Sequence, residues 1–383
     1  MRKVLYFSLP LLLAAPPLWA QDCKLPVRDE NDPAHYGCLL PMDMEVPLAV
    51  QALTDADIVV VGTLSEPKSD IAYPVTRIDI SDHAGARLET ALQQAAGLQQ
   101  FRRSDARSAN PTSQGITMRG LGGNASSRVV LVLDDVPQAD PFGGWVSWPG
   151  YDALNLARVT VRRGAGQVTA GAGALGGVVE LDSLQYRDLL SGRLAYGSRD
   201  SVDAKASMLR KLGAGSLSLS GSYARGDGFV PIAKGQRGAV DRPAPYEQAG
   251  LALRAVAPIS DNIELQANMR AFTDERDRGF DFSDSQNSGV DASLRLVNRA
   301  VGGWQWSALG YVQIREFANR FGAIGAGRNS VALTLDQYSV PSTGLGARVE
   351  VRPPLGEKAE LRLGGDWRRT SGETNENFFF TGL

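Results

Sequence analysis

Two patterns of apolar residues meet near Asp188. Upstream, short apolar runs rich in β-branched residues are bounded by glycine, asparagine, aspartate or proline, which is typical of short buried strands. Between Gln114 and Leu181 these runs are Ile116–Met118, Val129–Leu133, 159–161 and 178–181. The run Val129–Leu133 is apolar at consecutive positions, so we predict that both of its faces are covered.

Downstream of Asp188, apolar and polar residues alternate with period two, which predicts strands with one apolar and one polar face. Clear examples are 216–223, 264–272, 291–296 and 360–363. A soluble sandwich would turn the apolar face inward, whereas an outer-membrane barrel turns it towards lipid and keeps a polar lumen.

The lengths of the links between these strands favour the barrel. Short links (212–215, 258–262, 300–303, 353–358) alternate with longer polar ones (226–245, 273–286, 317–334), apart from one tight link near 198–201. That alternation is typical of periplasmic turns and outer loops. Aromatic residues near strand ends fit membrane interfaces; these are Tyr196, Tyr223, Phe272, Trp304, Trp306, Tyr311 and Trp367.

Upstream of Gln114 the sequence predicts one strand at 74–80 and one helix. Leu88, Ala91, Leu92 and Ala95 share a helical face, and Gly97 ends the helix. Residues 101–114 form a loop by composition.

The apolar runs and the segments between them resemble the plug domain of TonB-dependent outer-membrane receptors. The resemblance rests on ITMRGLGGNASSR (116–128), VLVLDDVPQADPFGGW (130–145), VTVRRGAG (159–166) and GALGGVVEL (173–181), in the family's order and spacing. Asp135 is a departure, because the family usually has glycine there. The resemblance implies a plug inside a barrel of about 22 strands.

The predicted fold class is therefore mostly β: a small α+β plug domain at 70–183, followed by a partial antiparallel transmembrane β-barrel at 188–383. Alternation gives about nine of the about 22 strands. We expect a truncated receptor that does not transport on its own, since an incomplete wall leaves unpaired backbone in lipid.

The N-terminal residues predict export. Arg2 and Lys3 precede an apolar stretch at 4–15, and Ala20 is a small residue at a cleavage site, which together indicate a signal peptide at 1–20. The stretch is too short for a spanning helix, so insertion is expected through strands, in the outer membrane and in contact with its lipid.

Residues 21–54 form a polar extension that contains both cysteines. In an exported protein, Cys23 and Cys38 predict a disulfide. An alternative is a copper site made by these cysteines with His35, Met42 and Met44. We predict no cofactor.

Residues 55–63 resemble the family's TonB box. Its acidic residue is followed by β-branched residues, and the predicted contacts with a TonB-type energy-transducing protein are Asp57, Ile58, Val59, Val60 and Val61. An extended segment of this kind can add as a strand to the edge of a partner's sheet. The alternative is an ordinary first strand of the plug.

The resemblance places the loops 101–114 and 136–150 at the outward apex of the plug. The predicted ligand contacts there are Arg102, Arg103, Arg107, Phe142, Trp145 and Trp148. Arginines suit an anionic ligand and exposed aromatics a bulky one. Alternatively, the arginines are solvated and the aromatics pack against the barrel wall.

A further set of arginines lies at strand ends: Arg119, Arg128, Arg162 and Arg163. The resemblance implies that they pair with acids of the barrel wall.

Other chemistries find little support in the sequence. A net charge of −2 does not suggest nucleic-acid binding. With two histidines and two cysteines, the chain has few of the residues that usually form catalytic or metal sites. The glycines 171, 173 and 176 match a dinucleotide-binding spacing, but a strand pattern follows them where that motif needs a helix. An acidic stretch at 273–285 predicts a solvated loop rather than a calcium site.

The resemblance implies active uptake of a scarce large solute rather than enzymatic activity. Ferric siderophores come first, with cobalamin, copper or a glycan as alternatives. A second hypothesis is a plug with a partial wall that binds ligand or TonB without transport.

Overall fold

The computed structural model describes residues 75–78, 87–100, 106–121, 123–126, 128–164, 170–184, 188–356 and 359–380. The predicted signal peptide, the cysteine-bearing extension, the TonB-box segment, Arg102 and Arg103 lie outside these residues. Within the described residues, no helix has both the length and the apolar character needed to cross a membrane.

The first part of the chain folds around a five-stranded sheet. Its elements are β1 (Val75–Ile78), α1 (Leu88–Leu92), β2 (Leu98–Gln100), β3 (Ile116–Met118), β4 (Val129–Leu133), β5 (Val136–Pro137), β6 (Leu156–Arg163) and β7 (Gly177–Ser183). The strand order is β1-β6-β7-β4-β5, and β2 and β3 form a separate two-stranded sheet. β4 runs parallel to β7, and the other pairs are antiparallel. These elements make up the plug.

Strand β4 is covered on both faces, as its run of apolar residues predicts. Val129 and Leu131 join the main core of the plug. Val130 and Val132 pack with Val178 and with alanines of 170–174 in a second cluster. The predicted helical face is also confirmed, because Leu88, Ala91, Leu92 and Ala95 are all buried. The helix itself ends at Leu92, so Ala95 lies beyond it and the prediction that Gly97 ends the helix is wrong. Gly97 has φ +80°, a conformation that suits glycine in a turn.

The second part is a single antiparallel sheet, here called the wall. Its strands are β8 (Leu189–Gly197), β9 (Ser201–Leu212), β10 (Gly215–Gly226), β11 (Tyr246–Pro258), β12 (Ile263–Arg276), β13 (Ser285–Arg299), β14 (Gln305–Ile324), β15 (Val331–Arg352), β16 (Leu363–Gly372) and β17 (Asn375–Phe378). Strands β8 to β16 pair in sequence order, and β17 pairs with the outer part of β15. A plug followed by a partial antiparallel barrel of about nine strands is therefore confirmed.

The two faces of the wall have the polarity of a membrane barrel. On β12, Gln266, Arg270 and Asp274 face inward and are buried, while Met269 is 51% exposed on the opposite face. The outward apolar residues of β12 lie in 263–273. At about 3.3 Å per residue and a tilt of about 40° they span about 25 Å, the height of a barrel's apolar band.

The links define two ends of the wall. The short-link end contains 213–214, 259–262 and 300–304. The long-link end contains link A (227–245), link B (277–284) and link C (325–330).

Two predicted features of the wall are wrong. Most of the predicted loop 317–334 is strand, since β14 continues to Ile324 and β15 begins at Val331. Among the predicted interface aromatics, Tyr196, Trp304 and Trp367 are exposed, but Phe272 is buried on the inner face.

Candidate functional site

The boundary between the plug and the inner face of the wall is rich in buried charged residues. Its first part is the turn between β4 and β5. Asp134 and Asp135 occupy this turn with φ +49° and +69°. Two left-handed residues close a two-residue turn, and aspartate is one of the few residues besides glycine that tolerate this conformation. Asp135 thus takes the place of the usual glycine without changing the turn.

Arginines from three strands of the wall reach this turn. Arg254 of β11 lies 2.5 Å from Asp134. Asp135 lies 2.6 Å from Arg295 of β13 and 3.4 Å from Arg348 of β15. Burial alone would raise the pKa of Asp135, but Arg295 and Arg348 outweigh it and hold the pKa below its usual value. Asp135 is therefore an ionised anchor of the turn.

The middle of the boundary combines an ion pair with contacts of one charged side chain to uncharged groups of the plug. Lys205 of β9 lies 3.4 Å from Asp152. The guanidinium of Arg270 lies 4.3 Å from the centre of the Tyr151 ring and donates to the side-chain oxygen of Gln138. Arg270 also pairs with Asp291 of the neighbouring strand β13.

At the long-link end, wall residues bind the plug segment 106–113. Arg276 donates to the backbone oxygens of Ala106 and Ala109. Arg107 pairs with Asp203 and donates to the hydroxyl of Tyr246 at 3.3 Å. The predicted ligand contact Arg107 is thus already engaged with the wall.

The predicted apical aromatics divide into two groups. Trp145 is 7% exposed and packs against Phe317 of β14, with ring centres 5.1 Å apart. Trp148 is 3% exposed and belongs to the plug core. The prediction of exposed ligand-contacting rings is wrong for both tryptophans, because burial in packed clusters keeps them from an incoming solute. Phe142 is 50% exposed, and its role as a ligand contact stays a prediction.

Two of the predicted plug arginines, Arg162 and Arg163, contact other elements of the plug. Arg162 pairs with Glu180 of the neighbouring plug strand at 2.8 Å. Arg163 donates to the backbone oxygen of Ala96 and to the hydroxyl of Thr76, both in the plug. These contacts join plug elements to one another, and the pairing of Arg162 and Arg163 with acids of the wall stays a prediction. Arg119 and Arg128 are exposed, and their assignment stays a prediction.

The wall contributes functional residues that the sequence reasoning missed. At the β4–β5 turn the acids lie on the plug and the bases on the wall, which reverses the expected polarity. The sequence pattern could have identified these arginines. Arg254 and Arg295 occupy inward positions in strands whose other face is apolar, so the alternation predicts that they face the plug.

The glycine-rich segment near residue 171 lies against β16. Arg368 donates to the backbone oxygens of Ala170 and Ala172, each at 3.2 Å. Gly171 has φ +75°, and a Cβ there would lie 2.7 Å from the Arg368 guanidinium. Strand β7 follows where a dinucleotide-binding motif needs a helix, and Gly171 and Gly173 leave room for the side chains of Arg368 and Val130.

Sequence and structure comparisons agree with this geometry. Residues 67–178 match the model of the TonB-dependent receptor plug domain. The chain therefore carries a plug domain of this kind, and the wall follows it. A search of the curated proteins finds no match.

Several solved structures share the fold of this chain. The siderophore receptor PirA from Acinetobacter baumannii is 13% identical with a TM-score of 0.61, over 79% of this chain and 48% of PirA. The ferric-catecholate import receptor Fiu from E. coli K12 is 15% identical with a TM-score of 0.62, over 82% of this chain and 52% of Fiu. The copper transporter OprC is 16% identical with a TM-score of 0.61, over 84% of this chain and 48% of OprC. The chain thus spans about half the length of these structures.

Proposed function

We propose that this protein serves active uptake of a scarce large solute across the outer membrane, energised by a TonB-type partner. The plug would occupy the lumen at rest and rearrange when the partner pulls on the segment 57–61. In this proposal the receptor lies in the outer membrane, with the apolar face of the wall against lipid.

The observation that carries the proposal is the chemistry of the boundary between plug and wall. Ion pairs and hydrogen bonds dominate it, including those of Asp134, Asp135 and Asp152. Among the described residues, one buried apolar cluster joins plug to wall, and it contains only Trp145, Phe317 and Val340. Polar contacts can be exchanged for water one at a time, whereas a continuous apolar core has to be broken as a unit. Such a boundary suits a domain that moves within its barrel.

Ferric siderophores are our first choice of ligand, and metal chelates of other kinds, cobalamin, copper or a glycan are the alternatives. PirA and Fiu are described as siderophore or ferric-catecholate receptors and OprC as a copper transporter, so this fold accommodates more than one ligand class. Within the proposal, Arg102, Arg103 and Phe142 contact the ligand, and Arg107 positions the loop that carries the two other arginines.

The partner segment provides the test of the proposal. Ile58→Pro removes a backbone donor and bends the strand, while Ile58→Val keeps both the donor and the β-branched shape. We expect Ile58→Pro to abolish uptake of radiolabelled ferric siderophores by iron-starved cells and to leave their binding to outer membranes unchanged. Ile58→Val should behave like the parent.

The possible outcomes separate the hypotheses. Unchanged uptake in Ile58→Pro would refute the role of this segment. Binding without uptake in the parent chain would instead favour a plug and partial wall that capture ligand without transporting it.

A further inference from the structure

The plug segment 106–113 is bound to the wall through one deeply buried arginine. Arg276 is 4% exposed, and its Nη1 donates to the backbone oxygen of Ala109 at 2.9 Å and to that of Ala106. Its Nε donates to Asp274 Oδ1 at 2.7 Å, and Asp274 is fully buried. Gln248 of β11 donates to the same oxygen at 2.8 Å. Asp274 and Gln248 thereby fix the plane of the guanidinium that binds the plug.

A second contact holds the same segment to the same pair of strands. The guanidinium of Arg107 lies 4.9 Å from the centre of the Tyr246 ring. Tyr246 of β11 is the direct cross-strand partner of Arg276 of β12. The side chain of Arg107 and the backbone carbonyls beside it therefore attach to adjacent positions of the wall.

Hydrogen bonds inside the segment make it move as a unit. Thr112 N donates to Asn110 Oδ1 and Ser113 N to Asn110 O, each at 3.0 Å. These bonds form a capped 3₁₀ turn over Pro111–Ser113, which leads directly towards β3 of the plug. A displacement at Ala109 is therefore passed along the segment rather than absorbed by it.

Arg276 is also the last residue of β12, so link B begins beside it. Asp277 of link B lies 2.7 Å from Arg242 of link A, and its backbone N donates to Pro245 O at 3.0 Å. Asp241 of link A in turn lies 2.5 Å from Arg328 of link C. Links A, B and C are thus joined to each other, and through the backbone to Arg276.

We propose that Arg276 is a positioning residue that couples the long links of the wall to the plug segment 106–113. A change in links A and B displaces the end of β12, and the guanidinium passes that displacement to the carbonyls of Ala106 and Ala109. Since coupling between two sites is reciprocal, loosening the plug segment also loosens link B. This coupling goes beyond solute uptake and does not depend on the identity of the ligand.

Hydrogen exchange followed by mass spectrometry on the full chain in detergent micelles tests the coupling without any ligand. Arg242→Ala removes the side-chain pairing of link A with link B and leaves only backbone hydrogen bonds between them. We expect it to accelerate exchange of the 106–113 amides by about 2- to 30-fold, the range of coupling between connected sites. Arg276→Lys keeps the charge beside Asp274 but lacks the planar fork that reaches both carbonyls. In that background, Arg242→Ala should cause no further acceleration.

Two variants serve as controls. Arg254→Lys changes another buried wall arginine, which binds the plug at Asp134, so Arg242→Ala should retain its effect in this background. Arg225→Ala removes an exposed pair with Asp200 and should leave exchange of 106–113 unchanged.

Either of two results overturns the proposal. One is an equal effect of Arg242→Ala in the parent and in Arg276→Lys, and the other is no effect in the parent. If Arg276→Lys does not fold, the reciprocal measurement decides. Arg107→Ala should accelerate exchange in link B (277–284), and unchanged exchange there also overturns the proposal.

Discussion

The surroundings of Asp182 of β7 in the plug change the pKa of its carboxyl group. Burial is the main cause that raises its pKa to about 6, and the nearby charges of Asp134 and Glu180 act in the same direction. Arg158 opposes them only in part. Near neutral pH, Asp182 is therefore an ionised carboxylate among other carboxylates, which costs free energy of folding.

Asp182→Asn is expected to remove a pH dependence of stability. Since the folded pKa of about 6 exceeds the usual value of 3.8, protonation favours the folded state. The stabilisation is complete below about pH 4 and is lost as the pH rises through about 6; its size is about 3 kcal/mol. Thermal unfolding in micelles between pH 4 and 7.5 should show the parent gaining stability relative to the variant as the pH falls. Parallel curves for the two proteins would mean that Asp182 has an ordinary pKa.

Among the elements, the β4–β5 turn has the densest charge pairing with the wall. It receives arginines from β11, β13 and β15, and these strands belong to one continuous sheet. The turn is therefore fixed to three strands at once, unlike a surface ion pair that joins two side chains.

Asp135→Asn should destabilise the folded chain by about 1–3 kcal/mol, because it leaves the buried guanidinium of Arg295 without its carboxylate. Asp200→Asn is the matched control, since it removes the exposed pair with Arg225, which is worth less than about 1 kcal/mol. Both are measured as changes in thermal unfolding midpoint in micelles. Equal shifts in the two variants would mean that the turn is not an anchor.

Most elements could be predicted from local pattern, and the exceptions have a physical reason. Apolar runs identified β3 and β4, and alternation identified the wall. A strand that is buried on both faces is apolar at consecutive positions, and one that is buried on a single face alternates between apolar and polar residues. The prediction of a loop at 317–334 was wrong because the segment has a polar composition although it forms strands. In the structure β14 and β15 pair along it, for example Phe321 with Leu335. Such pairing depends on a partner strand and not on local composition.

At the scale of the whole molecule, the boundary between plug and wall was the least predictable feature. The sequence places Arg254 and Arg295 on the inward face, but their partners Asp134 and Asp135 are more than a hundred residues away in the chain. Burial of Trp145 likewise depends on Phe317 of a distant strand. The resemblance predicted the plug, the wall and their order along the chain. Which charged side chains pair across their boundary is seen only in the folded structure.

The polarity of the wall underlies both the proposed membrane location and the polar boundary with the plug. A nitroxide scan of residues 265–273 of β12 tests it most directly, with Cys23 and Cys38 replaced by serine and the chain reconstituted in lipid vesicles. Collisions of the label with oxygen, which concentrates in lipid, should peak at positions 265, 267, 269, 271 and 273 and fall at the positions between them. Peaks at the even positions, or no alternation, would show that the apolar face of this sheet does not face lipid.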